Sequence, residues 1–251
     1  MSKVVIVTGG SGGLGGEIGI RFGLTGARVV INDIAYLDDA EELAKKINKS
    51  GGEAFVYEAD VCNYEQVKGM VEATLARWER IDVLVNNAGG ATRWLGSKGH
   101  LVTEMDKAVW QKVVDVNLTG QFICIKAVAP QMIKQRQGHI INVSSGTGLT
   151  GRKGFSPYAA AKAGVIGLTK TVARELGDHN VKVNAVCPGR IVHERAVKEG
   201  TGSRETLEPL IKDNVLHRTG SAQEFAEFVV HLSGMENISG QTLNLDSRIL
   251  F

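Results

Sequence analysis

A tyrosine and a lysine stand four positions apart in the stretch "SPYAAAKAG", with only alanines between them. On a helix, positions i and i+4 share a face, so Lys162 is expected beside Tyr158. A free tyrosine hydroxyl has a pKa of about 10 and is a poor base at neutral pH. A nearby lysine cation favours the phenolate, and the small alanines leave room for a flat ligand. The pair is a candidate acid or base, although this spacing alone is common and usually structural.

Two further polar residues could take part in the same chemistry. Ser145 lies 13 residues before Tyr158, at the end of an apolar run, where its hydroxyl could donate to a substrate carbonyl. Asn117 lies in "VNLTG" on a long predicted helix, where a buried polar side chain needs a hydrogen-bond partner. The alternative for Asn117 is an asparagine satisfied within the core.

The stretch "TGGSGGLG" (Thr8–Gly15) follows an apolar run and opens a predicted helix. Glycines there permit a tight turn and a close approach of the backbone to a pyrophosphate, which the N–H groups of the helix can bind. A glycine-rich turn without a ligand is the alternative. Two registers fit the stretch: Gly10, Gly12 and Gly15 as G-x-G-x-x-G, or Gly9, Gly13 and Gly15 as G-x-x-x-G-x-G.

Acidic residues follow the second and third apolar runs. Asp33 could accept hydrogen bonds from both hydroxyls of an adenosine ribose, and its charge would repel a 2′-phosphate. Ile34 follows it and the glycine turn holds no basic residue, which favours NAD over NADP. Asp60 could accept from an adenine amino group, or it could cap the helix that starts near Asn63. The positive ring of an oxidised nicotinamide would also favour the Tyr158 phenolate.

Short β-branched runs alternate with amphipathic segments of helical length. This alternation predicts an α/β fold: a Rossmann-like, doubly wound parallel sheet of about seven strands with helices on both faces. We expect residues 1–251 to form a single domain. Chemistry is expected beyond the carboxyl ends of the strands. The predicted strands are 3–8, 27–33, 53–60, 81–87, 139–145, 181–188 and 241–246, and the predicted helices include 39–52, 64–78, 106–136 and 157–178.

Composition excludes several classes of protein. The chain has 251 residues, 43% of them hydrophobic, and its net charge of +2 lacks the basic excess of a nucleic-acid binder. Its 3 cysteines lie far apart, so neither a disulfide framework nor a zinc site is indicated. No apolar run reaches the roughly 18 residues of a membrane helix, and the first residues do not resemble a signal peptide. We expect a cytoplasmic protein without a metal site.

Seven short motifs occur in the order typical of one family: "TGGSGGLG", "ADV", "NNAG", "VNLTG", "INVSS", "YAAAK" and "CPG". On these motifs the chain resembles the short-chain dehydrogenase/reductase family over nearly its whole length. Within the family it is similar to 3-oxoacyl-carrier-protein reductases and secondary-alcohol dehydrogenases. The resemblance implies hydride transfer between NAD and a secondary alcohol or ketone. It also implies a homo-oligomer, either a tetramer or a dimer.

The resemblance assigns roles to individual residues. Tyr158 resembles the general acid/base, and Lys162 the residue that lowers its pKa and holds the nicotinamide ribose. Ser145 resembles the serine that orients the substrate oxygen, and Asn117 the asparagine that holds a water in a proton relay. Asn86 and Gly89 resemble the turn beside the cofactor. The implied cofactor-binding residues are Gly9, Gly13, Leu14, Gly15, Asp33, Asp60, Val61, Asn87, Gly89, Tyr158, Lys162, Pro188, Gly189 and Ile191, with Ile191 as a backbone contact to the carboxamide.

The chain departs from the family pattern at three places near the substrate or the subunit interface. His193 stands where threonine is usual, and the tail "DSRILF" replaces "DGG". The segment 90–105 is longer and more polar than is typical. We expect the apolar end Ile249–Phe251 to pack against another subunit.

Basic side chains cluster in three segments that should surround the site. We therefore expect an anionic substrate, such as a 3-hydroxyacyl or 3-oxoacyl thioester or a hydroxy acid, held by paired hydrogen bonds. The alternatives are solvated loop charges with a neutral alcohol or sugar as substrate, an epimerase, or a catalytically silent NAD-binding subunit. Retention of Ser145, Tyr158 and Lys162 argues against the silent subunit. The basic residues are Arg93, Lys98, His100, Arg152, Lys153, Arg190, His193 and Arg195.

Overall fold

The computed structural model describes residues 2–96, 98–192, 211–212 and 214–248. Its main sheet is parallel throughout. The strands along the chain are β1 (Val4–Thr8), β2 (Arg28–Asp33), β3 (Glu53–Glu58), β4 (Val83–Asn86), β5 (Gly138–Val143), β6 (Val181–Pro188), β7 (Ile191–Val192), β8 (Gly220–Ser221) and β9 (Thr242–Leu245). The 7-stranded sheet has the order β3-β2-β1-β4-β5-β6-β9, and β7 pairs with β8 in a separate small sheet.

Helices connect consecutive strands of the main sheet. They are α1 (Gly13–Leu24), α2 (Leu37–Lys49), α3 (Tyr64–Trp78), α4 (Thr92–Leu95), α5 (Lys107–Val114), α6 (Gly120–Gln135), α7 (Thr147–Thr150), α8 (Ser156–Leu176) and α9 (Ala222–Leu232). A π-helical turn, Asp115–Thr119, joins α5 to α6. No helix in the described ranges is long and apolar enough to cross a membrane.

The sheet separates two apolar clusters because successive strand side chains point to opposite faces. On β1, Val4 and Ile6 belong to one cluster, together with side chains of α3, α6 and α8. Val5 and Val7 belong to the other, together with side chains of α1, α2 and α9. Every residue of β1 is buried, which explains its continuous apolar sequence.

The predicted fold class and its seven sheet strands are confirmed, with boundaries shifted by one or two residues. The helix predicted over 106–136 is α5, the π-helical turn and α6 in succession. Helix α9 and the β7–β8 pair were not predicted. The apolar residues Phe225, Ala226, Val229 and Leu232 of α9 are buried and follow helical spacing, so the signal for α9 was present in the sequence.

The order of the strands in the sheet places β1 between β2 and β4. The chain runs outward from β1 through β2 to β3, then returns to the other side of β1 to form β4, β5 and β6. This reversal is the switch point at which parallel sheets of this kind bind ligands. The segments that follow β1, β4, β5 and β6 therefore meet at one edge.

At the opposite end of the sheet, His139 of β5 is buried in its neutral form. The Asn184 side-chain amide donates to the Ile238 carbonyl (2.8 Å), while its oxygen accepts from the Gln241 N–H (3.0 Å). These contacts fix the amide orientation, so its nitrogen also faces His139 Nε2, at 2.9 Å. Nε2 must then accept the hydrogen bond. Burial, followed by the charges of Lys182 and Lys3, lowers the pKa of His139 to about 4.

We expect His139 to make the fold sensitive to moderate acid. In the unfolded chain His139 binds a proton below pH about 6.5, whereas in the folded protein it stays neutral until the pH falls to about 4. Stability present above pH 6.5 is therefore lost as the pH falls through this window, by about 3 kcal/mol in full. Urea unfolding between pH 7.5 and 4 should show a steeper loss for the unmodified protein than for His139→Gln. Equal pH dependence in the two proteins would contradict this account.

Candidate active site

The glycine-rich turn after β1 is shaped by backbone contacts that only glycine permits. Gly9 and Gly13 have φ values of +60 and +57, in the left-handed region. A Cβ on Gly15 would lie 2.2 Å from the Gly9 carbonyl oxygen and 2.5 Å from Asn87 Nδ2. Gly12 is extended (φ 169), a conformation open to any residue. The backbone thus demands glycine in the register of Gly9, Gly13 and Gly15.

Asn87 clamps this turn to the end of β4. Its side-chain amide donates to the carbonyls of Thr8 and Gly9, both at 3.0 Å. In return, the Thr8 hydroxyl accepts from the N–H groups of Asn87 and Ala88, also at 3.0 Å. Asn86 faces elsewhere and donates to the Asn142 side chain on β5. Of the two asparagines in "NNAG", Asn87 therefore shapes the turn.

The turn and the start of α1 fit a dinucleotide pyrophosphate. Gly12 at the N-cap offers no side chain to the N–H groups of the first helical turn, and that turn carries no acidic residue. Free N–H groups and the positive end of the helix dipole favour an anion there. Leu14 packs against the core beneath the turn. The residues present thus leave both the space and the donors that such a group requires.

Asp33, the last residue of β2, is fixed beside the glycine turn. Its Oδ2 accepts from the Ser11 hydroxyl (2.5 Å) and the Ser11 N–H (3.3 Å). Its Oδ1 accepts from the N–H groups of Ile34 (2.9 Å) and Ala35 (3.1 Å). These bonds hold a carboxylate at the position where the sequence places the adenosine ribose.

Asp60 and Val61 lie just beyond β3. Asp60 Oδ1 accepts from the Cys62 N–H at 2.9 Å. The cap of α3 is Asn63, whose side chain accepts from two N–H groups of the first turn. The alternative in which Asp60 caps this helix is therefore wrong. Val61 packs where a Cβ on Gly120 would come within 2.7 Å of it. The adenine contact of Asp60 and Val61 stays a prediction.

Asn117 is fully buried in the π-helical turn and holds the loop after β4. Its amide nitrogen donates to the Gly90 (2.8 Å) and Val113 (2.9 Å) carbonyls, and its oxygen accepts from the Gly90 N–H (2.9 Å). A Cβ on Gly89 would lie 2.4 Å from that oxygen. Both amide hydrogens are used within the chain, as the core alternative anticipates. A further bond to water must come from Oδ1 or the backbone carbonyl.

Tyr158 and Lys162 share the face of α8 that meets the end of β5, as predicted. The Lys162 amine donates to the Val143 carbonyl (2.9 Å) and lies 5.7 Å from the centre of the Tyr158 ring. Burial lowers the pKa of Lys162 to about 8, and an electrostatic interaction with Cys187 opposes this shift. Lys162 is 3% exposed, so its ammonium depends on these few contacts.

Ser145 lies two residues beyond β5, where its hydroxyl lowers the pKa of the nearby Tyr158. Its hydroxyl is oriented by accepting from the Thr147 N–H at 3.2 Å. Burial raises the pKa of Tyr158, while the nearby Ser145 hydroxyl and the charge of Arg152 lower it. Lys162 is not among the causes of this shift. Sequence reasoning thus missed Arg152 as the nearby cation, although it named that residue as a candidate substrate contact.

The segment after β6 lies beside this group. Pro188 ends β6, and the Gly189 N–H donates to the Leu245 carbonyl of β9 at 2.8 Å. A Cβ on Gly189 would lie 2.7 Å from that oxygen. Ile191 begins β7 and pairs with Gly220. His193 and Arg195, named from the sequence, lie outside the described residues, as does Ile249–Phe251.

Aromatic side chains line the mouth beside Tyr158, and sequence reasoning did not single them out. Buried Phe155 belongs to a small apolar cluster with Trp94 and Tyr158 packed against it. The Arg152 guanidinium lies 4.1 Å from the Phe155 ring centre. Among the described residues, no group of three or more His, Cys, Asp or Glu side chains could hold a metal ion.

Comparison with known proteins agrees with this arrangement. The family model described as short chain dehydrogenase matches residues 3–202. A 3-oxoacyl-(acyl-carrier-protein) reductase of Synechocystis sp. is 40% identical over 250 residues, covering 98% of this chain and 96% of the relative. The corresponding reductase of Staphylococcus epidermidis, FabG, is 38% identical over 248 residues, covering 98% of each.

Solved structures of enzymes share the fold. Levodione reductase matches with a TM-score of 0.89 at 31% identity, covering 98% of this chain and 96% of that one. NAD⁺-bound xylitol dehydrogenase matches at 0.87 and 29%, covering 98% of each. An actinorhodin polyketide ketoreductase with NADPH matches at 0.88 and 32%, covering 98% and 96%. The chain belongs to the short-chain dehydrogenase family, whose Rossmann-like members use a nicotinamide dinucleotide to oxidise secondary alcohols or reduce ketones.

Proposed function

We propose that this enzyme uses NAD to interconvert a secondary alcohol and a ketone on an anionic substrate, best represented by a 3-hydroxyacyl/3-oxoacyl thioester. The observation that carries the chemistry is the gathering of Ser145, Tyr158 and Lys162 at the end of β5, with Lys162 on the same helix face as Tyr158. A catalytically silent subunit would have no need to keep these three groups together. Names of the relatives that match 98% of the chain support the thioester.

The proton is handled by the chain's own residues. The Ser145 and Tyr158 hydroxyls together hold the substrate oxygen, and Tyr158 gives it a proton during reduction or removes one during oxidation. Lys162, with a pKa near 8, is largely cationic at neutral pH and stabilises the phenolate that remains. A bound nicotinamide dinucleotide supplies or accepts the hydride. The Asn117 backbone and a water would then link the lysine to solvent.

The preference for NAD rests on Asp33. Its fixed carboxylate can accept from the ribose hydroxyls, whereas a 2′-phosphate would place like charges together. Residues Ile34 to Tyr36 offer no cation to offset that repulsion. The similar structures do not decide between the cofactors, because one title names NAD⁺ and another NADPH.

The anionic substrate rests on Arg152. Its guanidinium stacks on Phe155 at the entrance to α8 and interacts electrostatically with Tyr158. Partial burial lowers the pKa of Arg152, a cost that an anionic ligand would offset. A neutral polyol is the second candidate, favoured by the similarity to xylitol dehydrogenase.

Domain organisation and assembly stay predictions. A single 7-stranded sheet organises the described helices and strands around it, which supports a single domain over 1–251. We also propose a cytoplasmic homo-oligomer, a tetramer or a dimer, by analogy with the family.

Replacing Tyr158 by Phe should remove the proton donor and leave the dinucleotide site intact. We expect kcat for acetoacetyl-CoA reduction to fall by on the order of 10²- to 10⁴-fold. NADH binding, followed by fluorescence, should be unchanged. Tyr64→Phe on α3 is the matched control and should keep full activity. Near-normal turnover of Tyr158→Phe would contradict the proposed function.

Replacing Asp33 by Asn should weaken NADH and relax discrimination against NADPH. Loss of hydrogen bonds to a carboxylate costs about 1.5–3 kcal/mol, so kcat/KM for NADH should fall by roughly 10- to 150-fold. Asp38→Asn, an exposed residue of α2, is the control. A preference of the unmodified enzyme for NADPH would show that the ribose argument is wrong.

Replacing Arg152 by Ala should cost more for a charged substrate than for a neutral one. We expect an additional loss of about 1.5–3 kcal/mol in kcat/KM for acetoacetyl-CoA over its neutral N-acetylcysteamine analogue. Any effect of the substitution on Tyr158 itself would lower kcat/KM equally for the two substrates. Lys153→Ala, which alters the neighbouring exposed cation, is the control. Equal losses for both substrates would argue for a neutral substrate.

A further inference from the structure

Two segments meet above the catalytic tyrosine. We call the described residues 91–96 and 98–105 the outer loop, and residues 151–155, which precede α8, the entry turn. Ala91 and Leu95 of the outer loop are 7% and 3% exposed, and they form an apolar cluster with Phe155 of the entry turn. Tyr158 packs against the same cluster. The polar outer loop is thus anchored by its few apolar residues to the start of the catalytic helix.

The two segments also touch through their backbones. The His100 N–H donates to the Gly154 carbonyl at 2.9 Å. A Cβ on Gly99 would lie 2.2 Å from the same oxygen, and a Cβ on Gly154 would lie 2.9 Å from the Lys98 carbonyl oxygen. Such contact leaves no space for a side chain on either glycine. Both segments therefore need glycine at this point for their backbones to come this close.

The contact lies one residue before the cap of α8. Phe155 is the N-cap, and its carbonyl accepts from the Ala159 N–H at 2.8 Å. Its own N–H donates to the Arg152 carbonyl at 3.1 Å. A displacement of Gly154 is therefore transmitted to the first turn of the helix, which carries Tyr158. Ser145 is held separately, beyond β5, by the Thr147 N–H. Displacing Gly154 would change the alignment of the two hydroxyls.

We propose that the outer loop is a positioning element, in which the Gly99–Gly154 contact holds the first turn of α8 so that the Tyr158 hydroxyl meets Ser145. The inference rests on the proposed acid/base role of Tyr158. It adds Gly99 and Gly154 as positioning residues that act through the tyrosine without touching the substrate.

The chain offers a matched pair of glycines for the test. Gly99 and Gly96 have φ values of +66 and +64, so alanine is equally strained at both, but Gly96 has nothing within 4 Å of an added Cβ. We expect Gly99→Ala to lower kcat for acetoacetyl-CoA reduction by on the order of 10- to 100-fold, the cost of a misplaced catalytic group. NADH binding should be unchanged. Gly96→Ala should keep the normal kcat.

The pH profile separates positioning from a general loss of structure. When Tyr158 moves away from the Ser145 hydroxyl, which lowers its pKa, the tyrosine should ionise at higher pH. The rising acid limb of 3-hydroxybutyryl-CoA oxidation should therefore move to higher pH in Gly99→Ala and stay in place in Gly96→Ala.

A second pair of variants changes glycines of the entry turn and provides the same test if Gly99→Ala does not fold. Gly154→Ala (φ +82) meets the outer loop, whereas Gly151→Ala (φ +70) projects into open space. Contact variants that match their open-space controls in kcat and pH profile would overturn the proposal. An active Tyr158→Phe would instead refute the function on which it rests.

Discussion

The packing of α8 against the end of β5 is the contact on which the site depends. The Ser144 hydroxyl donates to the Lys162 carbonyl (2.8 Å), and the Lys162 amine donates to the Val143 carbonyl (2.9 Å). A Cβ on Gly148 would lie 2.7 Å from the Lys162 carbonyl carbon, so α7 also presses against this helix. These contacts bring the helix face that carries Tyr158 to the strand end that carries Ser145. At the same edge of the sheet, Asn87 holds the glycine-rich turn and Asn117 holds the loop after β4.

Burial where α8 meets β5 shifts the pKa values of Tyr158 and Lys162 in opposite directions. It raises the pKa of Tyr158 and lowers that of Lys162, so desolvation favours the neutral form of both. The Ser145 hydroxyl and the Arg152 charge oppose the effect of burial on the tyrosine. Positive charge from Lys162 and from an oxidised nicotinamide ring would favour the phenolate. On the proposed mechanism, binding of NAD⁺ would therefore promote ionisation of Tyr158.

The sequence predicted the parts of this arrangement that follow local rules. The β-branched runs indicate the strands, and the i, i+4 spacing places Tyr158 beside Lys162. The π-helical turn around Asn117 was hidden because one extra residue barely disturbs a helical pattern. The pairing of Gly99 with Gly154 joins segments distant in the chain. The stacking of Arg152 on Phe155 depends on how the entry turn folds, and spacing does not encode it.

Ionisation of Tyr158 tests the central claim most directly. Ultraviolet difference titration of the unmodified protein minus Tyr158→Phe isolates the signal of this one tyrosinate, with and without bound NAD⁺. In the free protein, burial should hold the pKa of Tyr158 above its usual value. With NAD⁺ bound, the account predicts ionisation well below the ordinary pKa of about 10. A Tyr158 that ionises at the same high pH in both states would contradict it.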